Sequence, residues 1–175
     1  MPILATDIKF YLTGGAANSN PNASLGGAIS STEIISGGLN NIFDDVTGDE
    51  SASGMTDFRC IGVKNNHSTL TLKASKLWIL SNTTSLHDDI EIGVEKPVSN
   101  VVQTVSNEGM APTGISFSKP TTKENGPSIT GEGNNTGEIG PGKWVGIWIK
   151  RVVQVGAAAK DNNTFELKVE GDSNE

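Results

Sequence analysis

The residues able to do acid–base or nucleophilic chemistry are few, and they lie apart in the sequence. His67 follows Asn65 and Asn66 in a polar turn, whereas His87 precedes Asp88 in another. A hydrolytic triad needs a nucleophile, a base and an acid that converge in space, and no G-x-S-x-G motif marks a nucleophile. Neither a Walker sequence nor a G-x-G-x-x-G loop occurs. The sequence therefore predicts no enzymatic activity, no catalytic residue and no cofactor.

Two acidic segments carry the oxygen ligands that a hard cation such as Ca²⁺ prefers. Residues 44–50 place three aspartates and one glutamate around Gly48, and residues 88–89 add an aspartate pair. The spacing does not match an EF-hand loop, and acidic turns of this kind are commonly solvated surface. We therefore predict no metal site, with cation binding at 44–50 or 88–89 as the open alternative.

Aromatic side chains could form a platform for sugars, because sugar-binding sandwiches often stack their ligand on exposed Trp or Tyr. Here Tyr11, Trp78, Trp144 and Trp148 all lie inside apolar segments. In that setting such side chains normally pack in a core. The sequence therefore favours core packing for these four residues over a glycan-binding role.

Composition limits the classes of partner. The chain has 175 residues, of which 35% are apolar, and a net charge of −7. This acidic balance argues against nucleic acid, which requires a basic surface, and against an anionic membrane. With no secretory signal and no long apolar segment, we expect a soluble product of a cytoplasm. Cys60 is the single cysteine and is expected to be a buried thiol without a disulfide partner.

The elements that must position these residues are predicted to be β-strands. Apolar and polar side chains alternate with the period of two that is typical of half-buried strands. The clearest segments are residues 5–12, 28–35, 57–64, 68–81, 88–94, 143–155 and 165–169. Within 68–81 the alternation shifts phase at Ser75, which predicts a β-bulge or a division into two strands. Within 143–155 the pattern separates two faces, Trp144, Gly146 and Trp148 against Val145, Ile147 and Ile149.

Together these segments predict an all-β fold. About eight strands without a convincing helix favour a single antiparallel β-sandwich, of the Ig-like or jelly-roll kind, with long polar loops. One domain is expected to span residues 1–175, with 171–175 as a polar tail. Ile115 and Phe117 are expected to mark a strand that ends at Pro120, and residues 121–140 a long surface loop.

Long loops rich in Asn, Gly, Ser and Thr give the strongest indication of function. Loops of such length are uncommon in compact domains unless they are functional or disordered, and these could pack against neighbouring subunits. They span residues 14–27, 44–57, 106–114 and 121–141. The apolar residues in or near these loops are the predicted assembly contacts: Leu25, Leu39, Ile42, Phe43 and Met110.

Blocks along most of the chain resemble a family of small structural proteins of tailed bacteriophages and prophages. The blocks are Ala5–Asn18, Asn20–Gly27, Phe43–Ser51, Phe58–Asn65, Gly140–Arg151 and Leu167–Asp172. The resemblance lies in the general make-up of the sequence and in these blocks, and it includes no catalytic signature. It implies a virion component without enzymatic activity, and it brings no defined functional residues to transfer.

The resemblance implies two alternative places in the particle. The protein would be a tail or baseplate accessory or a capsid decoration protein, present in many copies or as a homo-oligomer. Its partners would be capsid or tail subunits, and its location the virion, after synthesis in the cytoplasm of the bacterial host. A host-surface glycan-binding module of the tail is the alternative function.

Overall fold

A computed structural model describes residues 2–173 of the protein. Within this range the chain forms eight β-strands and one short α-helix. The strands are β1 (Ile8–Thr13), β2 (Gly26–Glu33), β3 (Met55–Asn65), β4 (Leu72–Ser81), β5 (Asp88–Glu95), β6 (Val101–Thr104), β7 (Trp144–Val153) and β8 (Glu166–Ser173). The helix, α1, comprises Gly48–Ser53, and single 3-10 turns lie at Ala5–Asp7 and Pro21–Ala23.

The strands form two antiparallel sheets. The larger sheet has the order β5-β7-β3-β1-β2-β6, and β4 and β8 pair with each other. The larger sheet curls into a half-barrel, and the β4–β8 pair covers its outer face. The prediction of an all-β, antiparallel, sandwich-like fold is confirmed.

An aliphatic layer fills the space between the larger sheet and the β4–β8 pair. It contains buried side chains from both sheets, among them Ile61, Leu77, Ile92 and Ile147. Full burial of one such side chain stabilises the fold by about 1.5–3 kcal/mol. This layer is therefore the main reason why the two sheets remain together.

The other face of the larger sheet encloses an aromatic layer inside the curl. Trp144 and Trp148 pack there with Phe58, Cys60 and Val102. Successive residues of a strand point to opposite faces, so β7 supplies tryptophan to this layer and β-branched residues to the aliphatic one. The predicted division of residues 143–155 into two faces is confirmed.

Two glycines explain how β2 and β6 can close over this aromatic layer. Gly62 of β3 lies opposite Gly146 of β7 in the ladder. A Cβ atom on Gly62 would lie 2.6 Å from Ile29, and one on Gly146 would lie 2.7 Å from Val102. Because neither residue has a side chain, strands β2 and β6 approach the sheet closely enough to complete the curl.

The phase shift predicted in residues 68–81 is a bulge within one strand. The pairing of β4 with β8 shifts register between Lys73 and Lys76. Ala74 adopts a φ of 47°, and the Ser75 side chain then points inward and is buried. An extra residue at this point realigns the second half of the strand, so Leu77 and Ile79 face the core.

The segment between β6 and β7 differs from the predictions. Ile115 and Phe117 do not form a strand: only Ser118 pairs, in an isolated bridge with Ile92. Residues 121–140 are not a surface loop, because Ile129 and Ile139 are fully buried. The bulge in β4 explains this burial, since its backbone bonds directly to this segment and draws it inward.

Two smaller predictions are also corrected. The polar tail expected from residue 171 is strand at residues 171–173, which continue β8 alongside β4, whereas 174–175 lie outside the described residues. The acidic turn at 44–50 leads into α1. Thr47 is its N-cap and accepts from the backbone N–H of Glu50, whose carboxylate in turn accepts from Thr47, a reciprocal capping box.

Candidate assembly surface

Three loops meet at one buried arginine. They are residues 14–25, 34–47 and 105–117, which we call the loop cluster. The guanidinium of Arg59, on β3, donates to the Asn22 side chain (3.2 Å) and to Glu108, and it lies 3.8 Å from Asp44. The Arg59 side chain is 0% exposed. One side chain of the sheet therefore fixes a residue from each loop.

A second arginine fixes the middle loop from the other side. Arg151, on β7, donates to the backbone oxygen of Asp44 (2.8 Å) and to the carboxylate of Asp57 (2.7 Å). Its guanidinium carbon lies 4.6 Å from the centre of the Phe43 ring, and that of Arg59 lies 5.5 Å from it. Both arginines therefore make cation–π contacts with the ring of Phe43.

The charges around these arginines are largely balanced inside the protein. Asp57 is buried beside Arg151, and burial raises the pKa of Asp57, while its bond to Arg151 partly offsets this effect. Within the described residues, the Nε atoms of Arg59 and Arg151 have no hydrogen-bond partner. Because the arginines lie beneath Phe43 and already bond carboxylates, they serve to position the loops and do not offer a surface anion site.

A separate set of polar contacts fixes the turn before β5. Asn163 donates to Asp88 (2.6 Å) and accepts from the backbone of Ser85 (3.0 Å). The other carboxylate oxygen of Asp88 has no partner among residues 2–173. Burial raises the pKa of Asp88, and the charge of Arg151 acts in the opposite direction.

The five predicted assembly contacts fall into three groups. Phe43 is buried in the core, which corrects its assignment as a surface contact: its ring packs against the guanidinium groups of both arginines. Leu25 and Ile42 are half-buried against the two core layers. Leu39 and Met110 are exposed, at 83% and 48%. Only these last two retain the accessibility that a contact requires.

A shallow groove lies between the first two loops of the cluster. Its volume is about 200 Å³, and its lining includes Leu12, Pro21 and Ile34. Ile35 lines the groove as well and is exposed to solvent, and Leu39 follows on the same turn. Asn41 holds this turn by donating to the backbone oxygen of Ile35 (2.8 Å). The groove and its turn offer an apolar side chain a place to dock.

Sequence reasoning missed several exposed apolar residues. Leu86 is 90% exposed in the turn between β4 and β5, and Val155 is exposed in the turn after β7. These turns are adjacent, because the backbone N–H of Gln154 donates to the oxygen of His87 (2.8 Å). Neither residue lies in a long loop, so a prediction based on loop length does not find them.

The residues considered for chemistry have structural roles. The Nδ1 atom of His67 accepts from the backbone N–H groups of Thr69 and Leu70, at 3.2 and 2.9 Å, and so closes a turn. The backbone N–H of His87 donates to the hydroxyl of Ser85 (3.1 Å) and so helps to fix the turn before β5. Burial raises the pKa of the Cys60 thiol, which keeps it protonated and unreactive.

The acidic segments are occupied by protein partners. Asp44 faces the arginines, Glu50 caps α1, and Asp89 pairs with Lys119. Among residues 2–173 no group of three His, Cys, Asp or Glu side chains could hold a metal ion. Cation binding at 44–50 or 88–89 therefore has no assembled ligand set in the part of the chain that the structure describes.

The tryptophans offer no surface for sugar stacking. Trp78, Trp144 and Trp148 are all buried, as predicted. The indole N–H of Trp144 donates to Asn100 (3.0 Å), and that of Trp148 donates to Glu95 (2.7 Å). Tyr11 is half-buried, with Lys64 over its ring and its hydroxyl bonded to Asn66.

In comparisons with known proteins, no protein-family model, no curated protein and no solved structure matches the chain. Among residues 2–173, no helix has the length and hydropathy needed to cross a membrane. The loop cluster and the sequence blocks are therefore the features of the protein that bear on its function.

Proposed function

We propose that this protein is a non-enzymatic structural component of a tailed-phage virion. It is mounted in many copies on the particle, as a tail or baseplate accessory or as a capsid decoration protein. The observation that carries the proposal is the attachment of three long polar loops to one buried arginine, Arg59. The sequence blocks that resemble phage structural proteins support the same role.

The loop cluster suits assembly because its loops are ordered before a partner arrives. Ordering a flexible loop at an interface costs free energy, and a loop that is already fixed avoids that cost. Here bonds from Arg59 and Arg151 fix the loops, while Leu39 and Met110 project from them. A rigid scaffold that presents exposed apolar tips can bind a neighbouring subunit through shape and apolar burial.

Localisation on intact particles tests the proposal most directly. Immunogold electron microscopy of the phage that carries this gene should place label on the virion. Label over the head supports a capsid decoration protein, and label on the tail supports a tail or baseplate accessory. Particles that carry no label would overturn the proposed function.

A pair of matched variants tests the loop cluster as the contact. Leu39→Asp should leave the protein folded, because the side chain is exposed, but should prevent its incorporation into particles. Leu86→Asp makes the same change at a still more exposed position outside the loop cluster and should be incorporated normally. Normal incorporation of both Leu39→Asp and Met110→Asp would show that the loop cluster is not the contact.

A further inference from the structure

Three of the four outer sheet edges, those of β5, β6 and β4, are covered by other parts of the described chain. The edge of β5 bonds to Ser118 in both directions through Ile92, at 2.9 and 3.0 Å. The edge of β6 is covered by Glu95, whose carboxylate accepts from the backbone N–H of Gln103 (2.8 Å). The edge of β4 bonds to the segment before β7 at several points, including Pro120, Pro127 and Ile139.

Only β8 retains an open edge in the described part of the chain. Its backbone groups pair with β4, and no backbone bond joins β8 to any other element among residues 2–173. An uncovered edge presents a row of N–H and C=O groups that can pair with another strand. The strand comprises Glu166–Ser173.

Apolar side chains at and just before β8 are also incompletely covered. Phe165 precedes the strand, Leu167 and Val169 lie within it, and all three pack against the aliphatic layer but remain half-buried. A strand added at this edge would bring its own side chains alongside them. An extended strand with inward-facing apolar residues would pair with the free backbone groups of β8 and would also cover its half-buried side chains.

Charges on the outer face are compatible with a second copy of this chain as that occupant. Glu166 and Lys168 are exposed and two residues apart, so they are neighbours on one face of the strand. A two-fold axis at Leu167 places Glu166 of each copy opposite Lys168 of the other, and Phe165 opposite Val169. Opposite charges and aromatic–β-branched pairs are favourable cross-strand neighbours. A two-fold axis is the commonest symmetry of oligomers.

We propose that two copies of this protein pair through antiparallel β8 strands centred on Leu167. The dimer joins the two β4–β8 pairs into one continuous four-stranded sheet and covers the half-buried apolar residues of both copies. The loop cluster is not part of this contact. The inference goes beyond the proposed virion role and does not depend on it, because it concerns the isolated protein in solution.

Sedimentation velocity over a micromolar concentration series tests the dimer. Lys168→Glu and Glu166→Lys should each raise the dimer dissociation constant about tenfold, because each replaces two attractive pairs by two repulsive ones. The double variant E166K/K168E restores both pairs and should restore the wild-type constant. Lys96→Glu, the same charge change at an exposed site away from β8, is the control and should have no effect.

Disulfide trapping tests the register independently. Directly opposed residues in an antiparallel ladder are close enough for a disulfide, so Leu167→Cys should form covalent dimers on mild oxidation. Val169→Cys should not, because each copy opposes it with residue 165. Cys60 is buried and does not interfere. A monomeric wild-type protein, a double variant that fails to dimerise, or preferential trapping at position 169 would overturn the proposal.

Discussion

The aromatic interior of the curled sheet and the loop cluster are held by opposite means. In the interior, Trp144 and Trp148 fill volume, and their N–H groups bond to residues at the rim of the curl. In the loop cluster, Arg59 and Arg151 gather polar groups from distant parts of the chain. One region depends on apolar volume, whereas the other depends on matched charges.

This difference determines what each region tolerates. A packed interior is sensitive to lost volume, because surrounding side chains relax only partly into a cavity. A buried ion cluster is sensitive to which partner is removed, because a charge left buried without its counter-ion is costly. The same β3 strand serves both regions, through Cys60 on one face and Arg59 on the other.

The largest effect is expected in the aromatic interior. Trp148→Ala removes a fully buried indole and should lower the free energy of unfolding by about 3–5 kcal/mol. Chemical denaturation monitored by circular dichroism measures the change. Trp148→Phe retains most of the ring volume but not the bond to Glu95, and it should cost clearly less. Equal losses for the two variants would show that the hydrogen bond, not the volume, is decisive.

An intermediate and asymmetric effect is expected in the loop cluster. Glu108 is 41% exposed and Arg59 is fully buried, yet Glu108→Gln should be the more harmful change. It leaves the Arg59 guanidinium buried without its nearest carboxylate and should cost about 2 kcal/mol.

Arg59→Met is the matched comparison. It removes the buried charge and leaves Asp44 and Glu108 able to turn toward water, so its cost should stay within about 1 kcal/mol. Denaturation curves of both variants give the order. Hydrogen exchange should show looser loops in Arg59→Met despite its smaller loss of stability. A greater loss for Arg59→Met than for Glu108→Gln would contradict this account of the ion cluster.

Alternation in the sequence predicts the strands because it reflects an average over many side chains. The two faces of β7 and the bulge in β4 could both be recognised in this way, since each depends only on residues a few positions apart. Residues 121–140 could not, because few of them are apolar. Their burial follows from backbone hydrogen bonds to β4, and the composition of the segment does not predict those bonds.

The loop cluster was only partly accessible to sequence reasoning. The sequence identifies the loops at 14–27 and 106–114. It places the middle loop at 44–57, where the structure has α1 and the start of β3, and it predicts a surface contact at Phe43, which is buried. Its burial depends on Arg59 and Arg151, which lie on separate strands and meet only in the folded chain. Arginine is rarely buried unless it is paired. Because the partners of Arg59 come from three different loops, no local sequence pattern predicts the cluster.

The smallest effect is expected at Asp88, the first residue of β5. Its pKa is raised by burial, so between the ordinary aspartate pKa and the raised value the folded state binds a proton more readily than the unfolded state. Stability therefore falls as the pH rises through that window, and the penalty persists at neutral pH. Asp88→Asn should remove this pH dependence and stabilise the protein at neutral pH by less than about 1 kcal/mol.

Thermal unfolding from mildly acidic to neutral pH measures this change. The variant amide can still accept from Asn163, and its N–H₂ replaces a carboxylate oxygen that has no partner among the described residues. Asp161→Asn, an equivalent change in the exposed turn before β8, should alter neither the stability nor its pH dependence. If Asp88→Asn lowers stability at neutral pH, then attraction between Asp88 and Arg151 outweighs the cost of burial, and the ion network extends further from the loop cluster than we infer.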